Sequence, residues 1–97
     1  MEESTIAGLA LGELINAVNG FLADPDPTGR AWFLAADCLE LTYLLADTGA
    51  TPELTETDLP PAQALDEAAR LIDTLPRTAD WLPLRAAVHA VQIRAGA

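Results

Sequence analysis

Cys38 and His89 are the only cysteine and the only histidine in this 97-residue chain, so thiol or imidazole chemistry would have to start from them. A thiol nucleophile needs a base or a cation close by to hold it as thiolate. Cys38 instead has Asp37 and Glu40 beside it, and neighbouring carboxylates raise a thiol pKa. Its spacing from Ala31, Leu34, Leu41 and Leu45 puts it on the apolar seam of a helix, where a thiol behaves as a small hydrophobe. A zinc site needs several Cys or His ligands, and a di-metal carboxylate bundle needs Glu-x-x-His turns. Ala86 stands where the Glu preceding His89 would be. The run Asp24-Pro25-Asp26-Pro27-Thr28-Gly29 has the alternating oxygen donors and turn glycine that open a calcium loop. Its second half fails, because Trp32 and Ala35 occupy the places of the late ligands. A turn followed by a helix cap is the reading of that run. No phosphate-cradling glycine loop or nucleophile elbow occurs. The sequence predicts a protein that is not an enzyme and holds neither metal nor cofactor.

Asp37-Cys38-Leu39 resembles the Asp-Ser-Leu attachment motif of acyl carrier proteins, which are also small, acidic and four-helical. The resemblance covers three residues and implies a carrier arm at position 38. Carriers, however, place a Ser at the start of a helix after a loop. Here a Cys lies about two turns inside one.

The elements that position these residues follow from apolar spacing at about 100° per residue. The first helix is expected over about 4–22, with Ala7, Leu11, Leu14, Ile15, Val18, Phe21 and Leu22 on one face. Glu13, Asn16, Asn19 and Gly20 form its other face, and Ser4 or Thr5 is the expected cap. Gly8 and Gly12, four apart, leave room for the close approach of a neighbouring helix. The prolines and glycine of 23–29 end this helix, and Asp26 or Thr28 caps a second over about 30–48, which Gly49 stops. An acidic, non-periodic stretch follows, then a third helix over about 60–75, opened by Pro60–Pro61. Leu65, Ala68, Ala69, Ile72 and Leu75 face inward there, and Asp66–Arg70 is a supportive pair four residues apart. Pro76 closes it, and Asp80 caps a fourth over about 80–95, with Leu84, Ala87, Val88, Val91 and Ala95 inward. No strand alternation or internal repeat is present. The expected fold is a single all-α domain, a compact antiparallel four-helix bundle.

Charge is lopsided: fifteen Asp and Glu against five Arg and no Lys, a net −10. Phosphate backbones and anionic membranes repel such a chain, which argues against direct nucleic-acid or membrane binding. Acidity also keeps a small domain that is 51% hydrophobic in solution. The most apolar run, 6–23, is interrupted by Glu13, Asn16 and Asn19, so the chain reads as soluble and cytoplasmic. Its Ala- and Arg-rich, Lys-free usage suggests a GC-rich, bacterial genome.

One feature asks for more than a folded core. Trp32, Leu39 and Tyr43, joined by Ala36 and Ala46, lie nearly opposite the Cys38 seam. Phe33 and Leu44 flank an acidic strip of Asp37, Glu40 and Asp47. A helix apolar on two sides is either central in its domain or meets something outside it. Leu82, His89 and Ile93 repeat the pattern on the fourth helix. The expected function is protein–protein association, as a homodimer or an accessory subunit, through Trp32, Leu39 and Tyr43 with Leu82, His89 and Ile93 beside them. Two rivals stand against it. One is small-molecule binding in the room left by the helix-1 glycines, with Asn16 and Asn19 as polar contacts. The other is an acidic decoy for a basic nucleic-acid-binding protein, motivated by the carboxylates of 53–58 and the third helix. A further alternative is that the 50–60 connector, through Leu54 and Leu59, simply folds over Trp32 and Tyr43.

Overall fold

A computed structural model of the chain describes residues 3–25, 28–53 and 59–96. Four helices form, α1 Glu3–Leu22, α2 Arg30–Ala46, α3 Pro61–Ile72 and α4 Trp81–Gly96. The protein is an all-α four-helix bundle. Its radius of gyration, 12.5 Å, is that of a packed domain of this length.

Helix ends follow local chemistry, with some surprises. α1 is described from Glu3, with Thr5 already inside the helix, and the Ser4 side chain lies outside what the structure describes. α2 starts after Gly29, whose φ of 75° suits a residue without a Cβ. The Thr28 hydroxyl accepts from the Arg30 N–H at 3.3 Å, while Asp26 lies outside the described residues. At the other end Gly49, φ 91°, turns the chain and donates its N–H to the Ala46 carbonyl at 2.9 Å. Pro61 takes the first turn of α3, where no N–H is needed. α3 ends at Ile72, three residues short of the expected limit, and 73–75 form a turn.

α1 packs on α2 and α3, and α4 packs on the same two from the opposite corner. Each neighbouring pair is antiparallel. Arg94 near the end of α4 meets Asp37 of α2 at 3.0 Å. Gly20 near the end of α1 touches Pro61 at the start of α3. α2 and α3 therefore sit diagonally and run parallel, so the chain between them must travel back along the bundle. Its described ends lie on α1. The Glu53 N–H donates to the Gly8 carbonyl at 3.0 Å, and a Cβ on Gly8 would stand 2.5 Å from the Thr51 carbonyl oxygen. Gly8 thus admits a connecting backbone where a helix was expected. Gly20 likewise admits a proline ring, 2.8 Å from where its Cβ would be.

With α2, α3 and the start of the connector packed against it, α1 has its polar face largely covered. Glu13 is buried and accepts from the Asn16 side chain at 3.2 Å, and Asn16 and Gly20 are half-buried; Asn19 alone of that face is exposed. Leu22, expected inward, is exposed. Thr5–Leu22 is long and apolar enough to cross a membrane by length and composition, with mean hydropathy 1.3. In the bundle that apolarity is used for the core, to which Ala10, Leu11, Leu14, Ala17 and Phe21 belong.

Candidate functional site

On α2 the seam of Ala31, Leu34, Cys38, Leu41 and Leu45 is buried, as its spacing predicts. Ala35 and Thr42 widen it; the Thr42 hydroxyl is satisfied by the Leu39 carbonyl. Burial first, and then the adjacent Asp37 carboxylate, push the Cys38 thiol up from its ordinary 9.0 to about 12. Burial and a raised pKa leave the thiol without the access and thiolate character that a reactive cysteine needs. Among the described residues no three Cys, His, Asp or Glu side chains gather as a metal site would require.

The opposite side of α2 is open. Trp32 is 67% exposed, Phe33 74% and Tyr43 64%, with Leu39 and Leu44 also exposed. Five large apolar side chains on one 17-residue helix thus face outward. They form two rows. Trp32, Leu39 and Tyr43 run along the flank nearer α1, and Phe33 and Leu44 along the flank nearer α4. Between the rows Ala36 and Glu40 make a ridge at helical spacing, which Asp47, the C-cap, continues past the end of the rows. Asp37, read from sequence as part of that ridge, turns to α4 and pairs with Arg94. Glu40 and Asp47 meet no arginine among the described residues. The described ends of the 50–60 connector lie on α1, with Leu59 exposed, and Leu54 lies outside the described residues.

Leu82, His89 and Ile93 are exposed on α4 but do not extend this surface. The α3-facing edge of α4 is marked by Arg85, bonded to Asp73 at 2.6 Å, and by Gln92, bonded to Asp66 at 2.8 Å. At about 100° per residue, Leu82, His89 and Ile93 lie just outside that edge. The α2-facing edge is marked by Arg94, on the other side of the helix. The structure brings Trp32, Leu39 and Tyr43 together and leaves the α4 trio on a separate side. Asp66 is also claimed by Gln92, so Arg70 pairs with Glu67 and not with Asp66. That contact holds the Glu67 carboxyl below its usual range, chiefly by hydrogen bonding.

Two features escaped the sequence. Trp81 donates its indole N–H to the Ile72 carbonyl at 2.8 Å, under the Arg77 guanidinium 3.9 Å from the ring centre. Its position straight after a capping Asp and a Pro-closed helix was the available signal. Beside it an open cleft of about 560 Å³ lies where α1 and α4 begin and α2 ends. Leu45, Ala50, Trp81 and Leu84 line it, with Asp47 and Asp80.

Compared with protein-family models, with curated proteins and with solved structures, the chain matches none. Its function has to be argued from its surface.

Proposed function

We propose that this protein is a non-catalytic association module whose contact surface is the outer face of α2, centred on Trp32, Leu39 and Tyr43. One observation carries the reading: five large apolar side chains, three of them aromatic, lie exposed on a single helix whose other side already fills the core. Exposed aromatics on one face are the composition of an interface centre, and an apolar cluster of this kind on a monomer is uncommon without a partner. The occupant is a protein, either a second copy or the body to which this chain is an accessory. With one buried cysteine and no possible internal disulfide, the chain suits a reducing compartment, and we assign it to the cytoplasm.

The small-molecule reading gains no support from the helix-1 glycines, since Gly8 and Gly20 are occupied by the chain's own connector and by Pro61. The test is a Trp32→Ala/Tyr43→Ala double variant compared with the parent by size-exclusion chromatography with light scattering, alone and after co-purification from the native cell. The parent forms a homodimer or a stoichiometric complex that the variant loses while keeping its helical circular dichroism. A complex indifferent to both changes, or a parent that is a strict monomer without companions, overturns the proposal.

A further inference from the structure

We infer that the occupant of the α2 face is a cationic amphipathic helix from a different protein, its Lys or Arg stripe lying along the Glu40–Asp47 ridge and its apolar flanks against the two rows. The inference rests on the association reading above and specifies the partner's chemistry.

Three observations carry it. The face has a repeating order across its width: an apolar row, a carboxylate ridge, and an apolar row. A helix bearing basic residues between two apolar flanks is the complement of that order, and a helix laid along a helix is a common way to fill such a face. From Trp32 to Asp47 the face is about 20 Å long at the usual helical rise, about four turns of a partner, and the ridge from Ala36 to Asp47 takes up about three of them. Second, among the described residues no ion pair joins an arginine to Glu40 or Asp47. Arg70 pairs with Glu67, Arg85 with Asp73 and Arg94 with Asp37. Arg77 lies over Trp81 and donates to the Asp73 and Leu75 carbonyls. Arg30, the single cation of α2, donates to the Arg94 carbonyl.

Third, those same facts disfavour a second copy. A two-fold contact sets the same patch against itself. Here it would press Glu40 and Asp47 toward a face that offers no matching arginine, in a chain that already carries −10. Charged groups left unmatched at an interface centre weaken it. A basic partner turns the same carboxylates into attraction and faster encounter.

The test uses the Trp81→Phe variant, in which Trp32 is the sole tryptophan, titrated with two synthetic helical peptides of about five turns. Both carry the same Leu and Phe flanks; one has Lys along the central stripe and the other Glu. The Lys peptide is expected to shift Trp32 emission to the blue and to bind at least about tenfold more tightly than the Glu peptide at low salt. That preference shrinks as salt rises from about 0.1 M to about 1 M and the screening length falls from about 10 to about 3 Å. Glu40→Gln/Asp47→Asn abolishes it, while Asp24→Asn/Glu53→Gln, an equal change in net charge elsewhere, leaves it. Equal binding of both peptides through Trp32 overturns the cationic partner and keeps the association surface. Salt-reversed self-association through Trp32 and Tyr43 does the same in favour of a second copy. A preference that both double variants reduce equally reflects bulk charge and overturns the ridge. Absence of any occupant for the face overturns both readings.

Discussion

The two tryptophans of this chain face opposite fates on adjacent helices. Trp81, at the start of α4, has its N–H bonded to Ile72, a guanidinium over its ring and the core against it. Trp32, in the first turn of α2, is 67% exposed. One ring ties the α3–α4 corner together. The other leaves most of its apolar surface open to whatever covers it. The contrast separates residues that hold this bundle together from residues that give it something to do.

The sharpest way to break that contrast is to remove each ring. Trp81→Ala is expected to lower the unfolding free energy by about 3 kcal/mol, through lost packing and an orphaned Ile72 carbonyl. Trp32→Ala should stay within about 0.5 kcal/mol of the parent. Urea titrations decide it, and comparable losses would erase the distinction. A second comparison sets the sealed side of α1 against the open side of α2. Gly8→Ala drives a Cβ to 2.5 Å from the Thr51 oxygen and should cost about 1–2 kcal/mol net of improved helix propensity. Ala36→Leu, on the α2 ridge, should be nearly neutral by thermal unfolding.

Cys38 supplies the next effect. Its thiol is held neutral in the fold up to about pH 12, against 9.0 ordinarily. Above pH 9 the unfolded chain therefore releases a proton that the folded one keeps, and stability falls as pH rises. The loss should be about 1 kcal/mol between about pH 9 and pH 10. Cys38→Ala should lose that slope, starting from a lower plateau, in pH-dependent denaturation. The smallest effect belongs to the Glu67–Arg70 pair. Glu67 is held low by Arg70, so its contribution is present at neutral pH and fades as pH falls through the carboxylate range. Solvent screening of so exposed a pair limits Glu67→Gln to under about 0.5 kcal/mol.

The α2 seam, the ends at Gly49 and Pro61, and the all-α bundle were legible because each rests on local chemistry: period, left-handed turn or missing N–H. Topology was not. Nothing in the local pattern says that α2 and α3 run parallel across a diagonal, that Thr51 and Glu53 lie against Gly8 of α1, or that Glu13 is buried. The same missing information misdirected Asp66, which looked four residues ahead to Arg70 and found Gln92 across the groove. It also separated Leu82, His89 and Ile93 from α2, since helix spacing shows which residues share a face but not where that face points. The exposure of Trp32 and Tyr43 likewise depends on tertiary packing that helical spacing does not specify.

That exposure can be read directly in solution from the Trp81→Phe protein, diluted until light scattering reports a monomer. Trp32 should then emit at long wavelength and be quenched by acrylamide nearly as efficiently as free indole in water. A blue-shifted, shielded Trp32 in that monomer would mean the chain covers its own α2 face, and no outside partner would be required.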